Sequence, residues 1–100
     1  MPVERESVAL NDRFAPAWAN LAAVRLQLQR VDGARNAARK AVELQPDQPS
    51  YRLTLAQALW QSGSRPEAIE EARRAVAAAR SDAERRAAEA QVAAFEQRLK

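Results

Sequence analysis

The chain repeats itself, and this constrains its fold more than any other feature. When the 100-residue sequence is slid by 34 positions, Leu21 falls on Leu55, Ala22 on Ala56 and Gln27 on Gln61. Further along, Ala34 falls on Ala68, Ala38 on Ala72, Arg39 on Arg73, Ala41 on Ala75 and Val42 on Val76, and Lys40 meets Arg74. All share one offset without a gap. Self-similarity at such a period marks stacked units, each too small to bury its apolar face alone.

Each period reads as two helices. Pro16 stands near a helix start, where its missing N–H costs nothing. Leu21, Val24 and Leu28 follow at spacings of three and four, one apolar stripe. The run breaks at "QRVDG". Asp32 then suits the N-cap of a second helix. That helix carries Ala34, Ala37, Ala38, Ala41, Val42 and Leu44 and stops before Pro46. The second period opens after Pro49 and runs through Leu55 and Leu59 to "QSGS". Ser64 and Glu67 have capping-box spacing, with Pro66 in the first turn. Glu70 and Arg74 form an i,i+4 pair of the favoured orientation. "SDAE", Ser81 to Glu84, is a second capping box and opens a last helix to about Leu99.

Composition agrees with an all-α chain. Hydrophobic residues make up 47% of it, mostly alanine, and glycine only 2 of 100. Alanine is the best helix former, while β-branched and aromatic residues are scarce. There is no cysteine and no histidine. That removes disulfides, thiol nucleophiles, Cys/His metal sites and histidine acid–base chemistry together.

A 34-residue helix pair with alanines at its crossing resembles the tetratricopeptide repeat. In the first unit Trp18 takes the aromatic slot, followed by Asn20, Leu21 and Ala22. Ala34, Ala38 and Ala41 take the small slots, and "VELQP" closes the unit. In the second, Leu55, Ala56, Leu59, Gly63, Ala68, Ala75 and Val76 match. The resemblance implies tandem antiparallel helix pairs in a right-handed α-solenoid, with repeats at 15–48 and 49–82. Residues 83–100 then form a capping helix. Ala88, Val92, Phe95 and Leu99 make its apolar stripe, and Arg85, Arg86, Glu89, Glu96 and Arg98 its polar face. Residues 1–14 read as the end of an earlier repeat or an N-terminal cap helix, with Ser7 to Phe14 resembling a repeat's close and Val3, Val8 and Leu10 apolar.

Four positions depart from the family pattern. Arg52 replaces the second aromatic, although Tyr51 beside it could supply a ring. Arg25 stands where tyrosine or leucine is common. Gln29 replaces a turn glycine, with Gly33 supplying flexibility slightly later. Arg80 replaces the second closing proline.

Nothing in the sequence points to catalysis. Ser7, Ser50, Ser62, Ser64 and Ser81 mostly sit at turns or caps, and no histidine activates them. No glycine-rich phosphate loop exists. No cofactor, metal or small-molecule substrate is expected. No apolar run is long enough to span a membrane. The opening "MPVERESVAL" lacks a signal-peptide core, so a cytoplasmic setting is favoured and the compartment otherwise unassigned.

Two binding classes remain. The net charge is +3, and Arg35, Arg39, Lys40, Arg73, Arg74, Arg80, Arg85 and Arg86 cluster on second helices and the last one. No aromatics interleave with them for base stacking, which disfavours nucleic acid. By resemblance, the first helix of each unit lines a groove. The candidate peptide groove is Ala19, Asn20, Ala23, Leu26 and Gln27 with Leu53, Thr54, Gln57, Trp60 and Gln61. Some family members clamp a C-terminal carboxylate here with lysines and asparagines. This chain keeps Asn20 but has Ala19, Ala23 and Leu53 where such groups would be needed. The expectation is a non-enzymatic scaffold or adaptor that binds an extended or helical peptide through apolar anchors. Self-assembly into a homo-oligomer through exposed repeat ends is the alternative. Trp60 has two readings: it covers Ala94 or Phe95 as core, or it stands partly exposed in the groove. The lean is to exposure.

Overall fold

The computed structural model describes residues 13–99. They form five helices: α1 (Ala15–Gln27), α2 (Val31–Leu44), α3 (Pro49–Gln61), α4 (Arg65–Ala78) and α5 (Asp82–Leu99). There is no strand among the described residues. The bounds of α3 repeat those of α1, and the bounds of α4 those of α2, at the offset seen in the sequence. Each helix packs on its sequence neighbour, while α1 with α3, and α3 with α5, meet more lightly. The expected N-terminal segment, Val3, Val8 and Leu10 included, lies outside the described residues, apart from Arg13 and Phe14.

Small residues set the crossings. Ala34, Ala37, Ala38 and Ala41 of α2, and Ala68, Ala72 and Ala75 of α4, are buried, as are Ala22 and Ala56 on the helices facing them. Without side-chain bulk the backbones approach closely, and larger groups fill the gaps between pairs. The core joins Ala22, Ala37, Ala38, Ala56, Ala68 and Ala72 to Leu21, Leu55, Leu59, Trp60, Ile69 and Phe95, with Trp18, Val42, Leu53 and Val92 packed against it. Middle helix α3 is the most buried, since α2, α4 and α5 all cover it.

The two turns inside the pairs share one geometry. Arg30 N–H donates to the Arg25 carbonyl at 2.8 Å and Gln29 N–H to Leu26 at 3.0 Å. In the second pair, Ser64 N–H donates to Leu59 at 2.9 Å and Gly63 N–H to Trp60 at 3.1 Å. Both are Schellman motifs, which need a left-handed residue at the pivot. Gly63 supplies it at φ 94°, but its counterpart Gln29 holds φ 60° with a side chain. The missing glycine thus left the turn intact and placed a strained residue in it.

That turn also explains two differences from expectation. Arg30, not Asp32, caps α2, because its carbonyl already accepts the first helical bond from Ala34 N–H. Asp32 sits in the first turn, where its charge faces the positive helix end. Gly33 is not a flexible joint. It lies within α2 beneath Arg25, whose guanidinium donates to the Gly33 carbonyl at 3.1 Å. A Cβ on Gly33 would stand 3.0 Å from the Arg25 side chain.

Other local expectations divide. Pro16, Pro49 and Pro66 all occupy first turns, so α3 begins at Pro49 rather than after it. Ser64 is the N-cap of α4, but its side chain makes no capping bond. At α5 the box forms: Ser81 Oγ accepts from Glu84 N–H at 3.1 Å. The Glu84 carboxylate reaches back to Arg80 N–H at 2.8 Å, one residue before the usual partner. Ala88 and Phe95 of α5 are buried, whereas Leu99 is 54% exposed, because the helix runs on past its neighbours. Leu21 points inward, but Val24 and Leu28 of the same stripe are half-exposed, and Leu28 lies beyond the end of α1.

Candidate functional site

The aromatic slots of the two pairs are filled by different chemistry. Trp18 packs against the core as a half-buried ring. Its counterpart Arg52 donates from Nη1 to Glu71 Oε1 at 3.0 Å and from Nε to the Pro46 carbonyl at 2.9 Å. Both side chains are largely withdrawn from water, at 16% and 13% exposure. Glu71 in turn occupies the slot of Ala37. Trp and Ala at these two slots of the first pair are matched by a charge pair in the second.

The basic residues are interleaved with acids. Arg35 pairs with Asp32, Arg39 with Glu67 and Arg73 with Glu96. Arg74 contacts both Glu70 and Glu71, Arg80 meets Asp47 at 2.6 Å, and Arg85 meets Asp82. These surfaces carry mixed charge rather than the one-sign stripe that tracks a phosphate backbone. Among the described residues there is no cluster of three groups able to hold a metal, and no helix is long and apolar enough to cross a membrane.

The helices α1 and α5 each touch α3 lightly, and a hollow of about 310 Å³ lies along the three. It is lined by Ala23, Leu26 and Gln27 from α1, Leu53, Thr54 and Gln57 from α3, and Gln91 from α5. Six of these belong to the groove read from the sequence. Gln91 does not, although the repeat period carried the signal: Ala23, Gln57 and Gln91 are successive positions at the 34-residue spacing. The floor is apolar, the border is amide, and no lining side chain is ionisable.

The remaining four groove candidates lie elsewhere. Ala19 is half-buried, and Asn20 and Gln61 are exposed outside the hollow. Trp60 corrects the expectation of partial exposure, with 8% of its surface accessible. Its ring stacks on Phe95 with centroids 4.4 Å apart and planes 3° from parallel. The Arg65 guanidinium carbon lies over the Trp60 ring, 4.8 Å from its centroid. A face that looked free on α3 alone is covered once α5 folds across it.

A family model described as tetratricopeptide repeat matches residues 25–92. No curated protein matches the sequence. Among solved structures, the Yersinia enterocolitica type III secretion translocator chaperone SycD superposes with a TM-score of 0.85 at 17% identity, over 97% of this chain and 70% of that one. The same chaperone in complex with a peptide of the translocator YopD superposes with a TM-score of 0.83 at 17% identity, over 98% of this chain and 78% of that one. At that identity the likeness is one of fold.

Proposed function

This chain belongs to the tetratricopeptide repeat family, and from that premise we propose that it is a non-enzymatic protein-interaction module, a scaffold or adaptor, that holds a partner segment in the hollow between α1, α3 and α5. The observation that carries the reading is the lining itself. Residues from three successive layers of the array converge there, with an apolar floor of Ala23, Leu26 and Leu53. Recognition sites for peptides combine such a floor with a few polar groups that fix orientation. A chaperone of the same fold has been crystallised in complex with a peptide of the translocator YopD, which is consistent with this use of the architecture. The test is binding of a partner peptide to wild type and to Ala23→Glu, which places a charge on the floor at an exposed position. Loss of binding with an unchanged melting temperature supports the reading. Equal binding by both proteins sinks it.

A second reading has its own observation. Phe14, Val24 and Leu28 are about half-exposed, whereas Ala58, the counterpart of Val24 on α3, is fully buried. A second copy covering that side of α1 would make a homo-oligomer. Light scattering across a concentration series, with Val24→Lys as the comparison, tests it. A monomer at every concentration ends it.

A further inference from the structure

The open side of α1 has a nearer candidate for its cover than a second copy. Val24 is 46% exposed, while Ala58, one period later on α3, is fully buried. Val92, two periods later on α5, is half-buried and packs against the core. At this third position the neighbours are visible. Val92 lines a surface hollow of about 280 Å³ together with Arg73 and Val76 of α4. Two periods before these three residues stand Arg5, Val8 and Val24, so all three residue types recur. Val8 precedes Val24 by 16 residues, as Val76 precedes Val92. The middle period repeats the first two as Arg39 and Val42, with Leu44 matching Leu10. What the end of α4 brings to α5, the sequence ahead of α1 can bring to α1.

Charge points the same way. Residues 13–30 carry Arg13, Arg25 and Arg30 and no acid. Residues 1–12 carry Glu4, Glu6 and Asp12 against Arg5 alone. A net acidic segment is drawn to such a surface, because opposite charges lower the energy of contact. Two copies meeting through their α1 helices would set arginines opposite arginines instead.

We propose that residues 3–10, which lie outside the described residues, seat on α1 as the end of α4 seats on α5, with Val8 against Val24. This end of the array is then closed from within the chain, and a second copy docks there only by displacing the segment. The proposal is independent of what the hollow between α1, α3 and α5 binds.

The test uses the full chain, which has no cysteine of its own, so that any pair introduced is the only one. Val8→Cys with Val24→Cys is oxidised at low concentration and compared with Val8→Cys with Asn36→Cys, an exposed position on α2. Val76→Cys with Val92→Cys gives the rate for a pair already in place. Disulfides close only between residues held near one another, so the Val8–Val24 pair should form an intrachain bond about tenfold faster or more than the Val8–Asn36 pair, through its higher effective concentration. Equal rates overturn the proposal, and a disulfide formed mainly between chains overturns it in favour of a second copy. A second measurement needs no crosslink. Val24→Ser should lower the melting temperature of wild type, and should lower it less in a Val8→Ser background, because contacting residues are not additive. A Val24→Ser variant that melts like wild type, or the same drop in both backgrounds, shows that Val8 does not cover Val24.

Discussion

Replacing Trp60 by alanine should unfold this protein more than any other single truncation. The ring is nearly closed to water and joins α3 to α5 through its stack on Phe95. Lost burial and the cavity left behind cost about 3–5 kcal/mol for a buried tryptophan. The parallel stack adds about 0.5–1.5 kcal/mol beyond area. Arg65 over the ring adds about 0.5–1 kcal/mol at an exposed site. Set against a total of about 5–15 kcal/mol for a domain, the sum removes a large part of the stability. Urea unfolding followed by helical circular dichroism measures it. Phe95→Ala and the double variant complete a cycle, whose coupling should match the stacking contribution of about 0.5–1.5 kcal/mol. A Trp60→Ala protein within about 0.5 kcal/mol of wild type, the range of a surface substitution, would refute the docking of α5 through this ring.

The ion pair in the second aromatic slot can be exchanged for the contents of the first. Glu71→Ala should cost about 1–3 kcal/mol, because the largely buried Arg52 then keeps only the Pro46 carbonyl, and Arg52→Ala should cost less, because Glu71 keeps Arg74. Arg52→Trp with Glu71→Ala should be neutral or stabilising, as replacing a buried pair by packed apolar groups often is; a double variant weaker than both singles in urea would contradict this. Gln29→Gly should relieve the left-handed strain and raise stability by about 0.5–1 kcal/mol, while Gly63→Ala should lose a similar amount. Nothing lies near a Cβ on Gly63, so that loss would come from the backbone alone, and equal melting temperatures for both variants and wild type would dismiss the argument. Removing Ser81–Lys100 should bare Trp60 and bring aggregation or loss of cooperative unfolding; a monomer with unchanged melting would show that α5 is no cap.

The order and lengths of the helices were legible in the chain, because repetition and apolar spacing are local properties. Alanines at fixed offsets imply close crossings wherever they occur, so the interior of each pair followed from Ala34, Ala38 and Ala41 and their counterparts. The floor of the hollow was legible for the same reason: Ala23, Leu26 and Leu53 lie on helix faces that spacing defines. Other features depended on the way distant segments meet. Trp60 leaned to solvent as read along the chain and proved to be core because α5 crosses it, a contact between residues far apart in sequence. Gln91 joined the site by the same crossing. Arg52 broke the repeat pattern as read along the chain. Only packing α4 against α3 set Glu71 beside it, where burial turned an isolated charge into half of a pair. Gln29 shows the converse. The fold imposed a left-handed turn on a residue that does not favour it, because bonds at both sides of the turn and the packing of α1 on α2 together outweigh the local preference of one residue.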